Sequence, residues 1–129
     1  MPALSSFDYA ILRVVPRVER EELINAGVLL FCLERDFLQA RVEVNEPRIR
    51  ALWPGTDVEL VRAHLEAIPR ICAGRPDGGP IARLSIRERF HWLVAPRSTI
   101  IQVSPVHVGL CQSPEHALDE LFRQMVLLP

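Results

Sequence analysis

The chain contains no lysine, and all 15 of its basic residues are arginine. This absence excludes Schiff-base catalysis by a lysine amine and the lysine of a nucleotide-binding P-loop, whose glycine pattern is also missing. The formal net charge is only −1, and the arginines are scattered along the chain. Because such a chain has no strong positive field, we do not expect nucleic acid among its partners.

The sequence contains no long apolar run, and we do not expect an export signal. No stretch approaches the about 20 apolar residues that a membrane-spanning helix needs. The opening residues, MPALSSFDYA, lack a basic segment followed by an apolar block, which is the pattern of a signal peptide. We therefore expect a cytoplasmic protein without membrane contact.

Cysteine and histidine are present but form no recognisable motif. Cys32, Cys72 and Cys111 lie far apart and include no C-x-x-C pair, and the four histidines form no H-E-x-x-H sequence. The cysteines fall in apolar surroundings, which favours reduced, buried thiols that pack as small hydrophobes. No metal and no cofactor is predicted.

With 129 residues, 49% apolar and 24% charged, the chain has the composition of one globular domain spanning residues 1–129. Four segments show the alternation or β-branched content of strands, namely 7–15, 23–32, 37–44 and 99–103. Helices are predicted after four capping residues, and in three of these helices apolar residues recur at helical spacing. We therefore predict an α+β fold in which helices cover an antiparallel sheet of about four strands.

The four helix starts carry capping residues. Asn45 and Ser113 are followed by a proline in the first turn, and Ser85 with Glu88 has capping-box spacing. Thr56 with Glu59 suggests another capping box. Pro69 should kink or shorten the helix that this pair begins, because proline lacks an amide hydrogen.

Two polar residues interrupt the first predicted hairpin. If the hairpin is centred near Glu19, Arg13 lies opposite Asn25 on the face that also carries Gly27. Arg13 then needs a partner, either a ligand or one of the glutamates in the turn, Glu19, Glu21 or Glu22. A glycine inside a strand indicates a bulge or a close approach by another group.

The segment ERFHWLVAPRSTIIQVSPVHVG, residues 88–109, holds most of the candidate chemistry. Arg97, Ser98 and Thr99 could present a planar fork and two hydroxyl groups to a phosphate or carboxylate. The alternative is that Arg97 caps the preceding helix while the two hydroxyls satisfy local backbone groups. The complete set of candidate ligand-binding residues is Arg13, Asn25, Arg97, Ser98, Thr99, Gln102 and His107.

Two segments, FDYAILRVVPRVEREELINAGVLLFC and FHWLVAPRSTIIQVSPVHVGL, together resemble the bacterial domain-of-unknown-function family three-zero-three-seven over nearly the whole chain. The residues that match the family pattern are Tyr9, Arg13, Pro16, Glu19, Asn25, Gly27, Leu93, Pro96, Arg97, Ser98, Gln102, Ser104, His107 and Gly109. The resemblance implies a chromosomal neighbour, a HipA-like protein kinase, and a role as its partner in a toxin–antitoxin-like pair.

The preferred function is a non-enzymatic interaction or regulatory module with a protein partner, for which that kinase is the candidate. A homo-oligomer is considered as well. The kinase chemistry itself is missing here, since no glycine-rich phosphate loop or strand lysine is present. The alternative is an anion-binding protein or hydrolase that uses the Arg97 and Ser98 loop with Gln102 and His107. No catalytic residue is predicted, because no G-x-S-x-G elbow or orienting acid accompanies the serine and histidine.

Overall fold

The structure is a computed structural model that describes residues 3–97 and 99–129. Its strands are β1 (Ser5–Val14), β2 (Ile24–Cys32), β3 (Phe37–Val42), β4 (Ile101–Val103) and β5 (His107–Cys111). Its α-helices are α1 (Glu46–Leu52), α2 (Val58–Cys72), α3 (Ile86–Val94) and α4 (Pro114–Met125). The strands form one antiparallel sheet in the order β3-β2-β1-β4, with β5 also paired to β1. The predicted α+β class is confirmed.

The β1–β2 hairpin has the predicted centre but contains a bulge. Arg13 pairs with Asn25 as expected, and the register shifts between Leu12 and Arg13. As a result Gly27 pairs with Leu12, so the prediction that Gly27 shares the face of Arg13 was wrong. A Cβ atom on Gly27 would lie 2.7 Å from the backbone oxygen of Arg41. The glycine thus allows β3 to approach β2 closely.

The fifth strand, β5, was not predicted, because the sequence indicated only a turn after residue 103. Strands β4 and β5 share one edge of β1 and are separated by Ser104, Pro105 and Val106. The Ser104 hydroxyl accepts a hydrogen bond from the Ile11 amide at 2.8 Å, and the Ser104 amide donates to the Ile11 carbonyl at 2.9 Å. Ser104 therefore continues the ladder across the break, where Pro105 has no amide hydrogen to contribute.

Three of the four predicted helix caps are confirmed. The side chains of Asn45, Ser85 and Ser113 each accept a hydrogen bond from an amide of the first turn, and Ser85 forms the full capping box with Glu88. These bonds satisfy amides that have no partner within the helix.

The cap of α2 was assigned to the wrong residue. Asp57, not Thr56, accepts from the Leu60 amide at 3.1 Å, while the Thr56 hydroxyl donates to the Trp53 carbonyl at 2.7 Å. The helix also continues for three residues beyond Pro69, as far as Cys72. A proline in the last turn removes only one amide hydrogen, so the end of the helix tolerates it.

Helices cover both faces of the sheet and create two apolar cores. On the first face, here called the α2 face, α1, α2 and α3 pack against residues such as Leu12 and Leu29. On the opposite face, here called the α4 face, Leu118 and Phe122 of α4 pack against Ile11 and other strand residues. No helix of the described residues has the length and apolar content to cross a membrane.

The three cysteines are free and buried. Cys72 lies on α2 and is only 3% exposed, and burial raises the pKa of its thiol from 9.0 to about 12. The folded protein therefore keeps a proton on this thiol at a pH where the unfolded chain has lost it. This setting supports the prediction that no disulfide joins the cysteines.

We expect the free energy of unfolding to fall as the pH rises from about 9 toward about 12, with a contribution from Cys72 of up to about 1.4 kcal/mol per pH unit. Stabilisation is fully present below the pKa of the unfolded thiol and is lost as the pH approaches the folded value. No lysine titrates across this window, but burial also raises the pKa of the Cys111 thiol, so the contribution of Cys72 is the difference between the wild type and Cys72→Ala. Urea denaturation of the wild type and Cys72→Ala at several pH values measures how the free energy of unfolding depends on pH. Equal pH slopes for the two proteins would contradict the assignment.

Candidate functional site

Three of the predicted residues form one row on the α4 face. Arg13 of β1 is paired with Asn25 of β2 on one side and with Gln102 of β4 on the other. Directly opposed residues of antiparallel strands point to the same side of the sheet. Ile11, two residues earlier on β1, belongs to the core under α4, so alternation places the row on that face.

The row is held by backbone contacts at both ends. The Asn25 side-chain amide donates to the Met125 carbonyl at 3.0 Å, and that of Gln102 donates to the Thr99 carbonyl at 3.0 Å. Between them the Nε atom of Arg13 is buried and finds no acceptor among the described residues. A buried donor without a partner carries a free-energy cost.

The turn glutamates do not supply the partner that was considered for Arg13. Glu19 pairs with Arg17, and Glu22 pairs with Arg20 at 2.6 Å. Both pairs lie within the turn itself and are exposed. Exposed pairs of this kind contribute little to stability.

His107 shares the α4 face but not the Arg13 row. It pairs with Tyr9, and the two ring centroids are 5.3 Å apart. Tyr9 and Arg13 are four residues apart on one strand, or about 13 Å at the usual rise of a β-strand, and Ile11 lies between them on the same face. The exposed His107 ring is therefore separated from the row by an apolar side chain.

Arg97 lies on the α2 face and contacts the end of α3. Its guanidinium donates to the Trp92 carbonyl at 2.7 Å and lies 4.1 Å above the centre of the Trp92 ring. The Thr99 hydroxyl donates to the Ile101 carbonyl at 2.7 Å. These are the capping and local backbone contacts of the alternative interpretation, and Ser98 lies outside the described residues.

Arg97 and Thr99 also line a cavity of about 340 Å³ between α2, α3 and β4. Its walls are mostly apolar, and the exposed side chain of His64 also lines it. The lining residues are His64, Ala67, Ile68, Ile71, Trp92, Leu93, Arg97, Thr99, Ile100, Ile101 and Val103. The strand residues Ile101 and Val103 pair with core residues of the α2 face, so Gln102 points the other way. The structure thus does not bring Arg97 together with Gln102 or His107.

Sequence reasoning missed His64 as a neighbour of Arg97. The available signal was helical spacing, because His64 precedes Ile68 by four residues and Ile71 by seven, which places all three on one face of α2. The spacing alone could not show that the Arg97 loop passes that face.

A second concave surface, also missed, lies on the α2 face beside the first half of β1. It is an open groove of about 670 Å³ next to β5 and the end of β2. None of the predicted residues that the structure describes lines it. Its lining residues are Leu4, Ser6, Phe7, Asp8, Phe31, Leu33, Glu34, Arg87, His91 and Leu110.

A family model described as "Protein of unknown function (DUF3037)" matches residues 9–126 of the chain. The match includes nearly all of both segments that carry the sequence resemblance, and it spans β1 through α4 almost completely. Comparisons with the curated proteins and with the solved structures gave no significant match. The chain belongs to the DUF3037 family.

Proposed function

We propose that the chain is a non-enzymatic interaction module that binds an extended segment of a partner protein along the edge strand β5. The observation that carries the proposal is the exposure of two apolar side chains on that strand. Val108 is 70% exposed and Leu110 is 67% exposed. Large apolar side chains that cluster in solvent are typical of interaction surfaces.

The two edges of the sheet differ in a way that favours β5. The outer strand β3 exposes Gln39 and Arg41, and Arg41 pairs with Asp119 at 2.6 Å and stacks over Phe122. Charged side chains on an edge strand discourage pairing with another chain. On β5 the exposed side chains that point to the α2 face are Val108 and Leu110. Both are apolar, so no charge on this face discourages pairing with another chain.

The shape of the surface indicates an extended segment with apolar residues at alternate positions. Val108 and Leu110 lie two residues apart on one face, and a strand added beside β5 would place its own alternate side chains against them. Leu4 and Leu33 are 58% and 46% exposed and line the adjoining groove together with Leu110. Their side chains extend the apolar surface that such a segment would cover.

The partner to test first is a HipA-like kinase, which the family resemblance implies as a neighbour. In this proposal the chain regulates the kinase by binding it and supplies no catalysis. The proposal also places the chain in the cytoplasm, where thiols remain reduced, because its three cysteines are free and buried.

Calorimetric titration of a HipA-like kinase from the same cells with the wild-type chain tests the proposal. Val108→Lys and Leu110→Lys should each weaken binding by about tenfold or more, because each places a charge in the centre of a buried contact. The matched control is Leu60→Lys on α2, where the side chain is 47% exposed but remote from β5. That variant should bind like the wild type.

Two results would overturn the proposal. One is a kinase that binds the two β5 variants as tightly as the wild type, or does not bind the wild type at all. The other is self-association through the same strand, seen by analytical ultracentrifugation as a wild-type dimer that both β5 variants convert to a monomer. In that case a second copy of the chain occupies the edge.

A further inference from the structure

We infer that the cavity between α2, α3 and β4 is a binding site for a small amphipathic carboxylate, a molecule with a short apolar chain or ring and one negative charge. This inference does not depend on the proposed function, since the cavity lies at the other end of β1 from β5. Strand β4, which forms one wall, pairs with residues 12–14, whereas β5 pairs with residues 5–9.

We infer that the body of the ligand is apolar because the walls of the cavity are apolar. Ile68 and Ile71 are each 8% exposed and Leu93 is 3% exposed, and they line the cavity with the partly buried strand residues Ile101 and Val103. The volume of about 340 Å³ falls within the ~300–1,000 Å³ typical of small-molecule sites. Such sites combine apolar walls with a few polar groups that orient the ligand.

We infer that the ligand carries a negative charge because of the residues at the mouth of the cavity. Arg97 and His64 are exposed there, and no aspartate or glutamate is among the described residues that line the cavity. The ion pairs formed by the described residues do not include Arg97. The local field therefore favours an anion.

Arg97 is already held in place for this role. Stacking on Trp92 and one hydrogen bond to the Trp92 carbonyl fix the guanidinium plane, and the other N–H groups remain to form a fork. The fork geometry fits a carboxylate or a phosphate. A single arginine beside an apolar cavity matches one negative charge on an apolar body better than the double charge of inorganic phosphate.

The test uses octanoate as the probe, followed by amide and indole NMR signals of the full chain. Octanoate should bind saturably and shift the Trp92 indole and the amides of α2 and α3. Octanol, with the same chain and no charge, should bind about tenfold more weakly, because it loses a charge-assisted hydrogen bond. Inorganic phosphate should cause no saturable shift at these residues.

Two variants separate the charge from the apolar walls. Arg97→Gln should weaken octanoate binding by about tenfold and leave octanol binding unchanged. Ala67→Leu places a larger side chain in the cavity and should abolish binding of both, while its spectrum remains that of a folded protein. Arg83→Gln, an exposed arginine outside the cavity, is the matched control and should bind like the wild type.

The inference fails if octanol binds as tightly as octanoate, or if Arg97→Gln leaves the affinity for octanoate unchanged. It also fails if the shifts lie around β5 rather than α2 and α3, or if phosphate alone competes with octanoate. A folded Ala67→Leu protein that still binds octanoate would equally exclude the cavity.

Discussion

Replacing Phe122 with alanine should lower the free energy of unfolding by about 3–5 kcal/mol, because the ring fills the core between α4 and the sheet. Phe122 is 5% exposed, and the Arg41 guanidinium covers it at 4.6 Å from the ring centre. The substitution would leave a cavity that the surrounding strands cannot fully close. Urea denaturation of the wild type and Phe122→Ala, at several protein concentrations, measures the loss.

The control is Met125→Ala, one turn later on the same helix. Met125 is 38% exposed, so its truncation should cost less than about 1 kcal/mol. A small loss for Phe122→Ala accompanied by weaker self-association would mean that the Phe122 face belongs to an interface. A loss that is the same at all concentrations supports its place in the core.

Leu65→Ala should lower the free energy of unfolding by about 2–5 kcal/mol. Leu65 is fully buried at the centre of α2, where it packs among the apolar residues of the α2 face. The same helix provides a matched control, since Leu60 is 47% exposed and its truncation should change stability by less than about 1 kcal/mol.

The comparison between these two leucines tests the packing of α2 with helix propensity held constant. Both variants replace leucine by alanine in the same helix, so the difference between them reports burial alone. Chemical denaturation curves with equal slopes and different midpoints are the expected result. Equal midpoints for Leu60→Ala and Leu65→Ala would show that α2 does not pack as the structure describes.

The proposed cavity site and the proposed β5 surface lie at the same edge of the sheet, because β4 and β5 pair with different parts of β1. The break lies at Pro105 and Val106, and Ser104 stays bonded to β1 just before it through its hydroxyl and its amide, which both bond to Ile11. The break lets β5 leave the cavity region and run beside the first half of β1. A ligand in the cavity and a strand on β5 can therefore be tested separately.

Local signals in the sequence were sufficient for most elements. The capping residues Asn45, Ser85 and Ser113 marked three helix starts, because a side-chain acceptor must lie within three residues of the amides that it satisfies. The centre of the first hairpin followed from two apolar strands around a charged turn, and it placed Arg13 opposite Asn25. At the start of α2 two adjacent residues, Thr56 and Asp57, could both act as caps, and the local pattern did not distinguish them.

The sequence by itself determined the α+β class, the family and the apolar faces of the helices, since these depend on residue type and on spacing over a few positions. Tertiary structure alone decided which candidate residues meet. Gln102 and Ile101 are neighbours in the chain but point to opposite faces, so Arg97 lines a cavity with His64 of α2 and not with Gln102. The strand β5 also depends on a partner about 100 residues away, because five residues that include a glycine have no strong preference for a strand until β1 pairs with them.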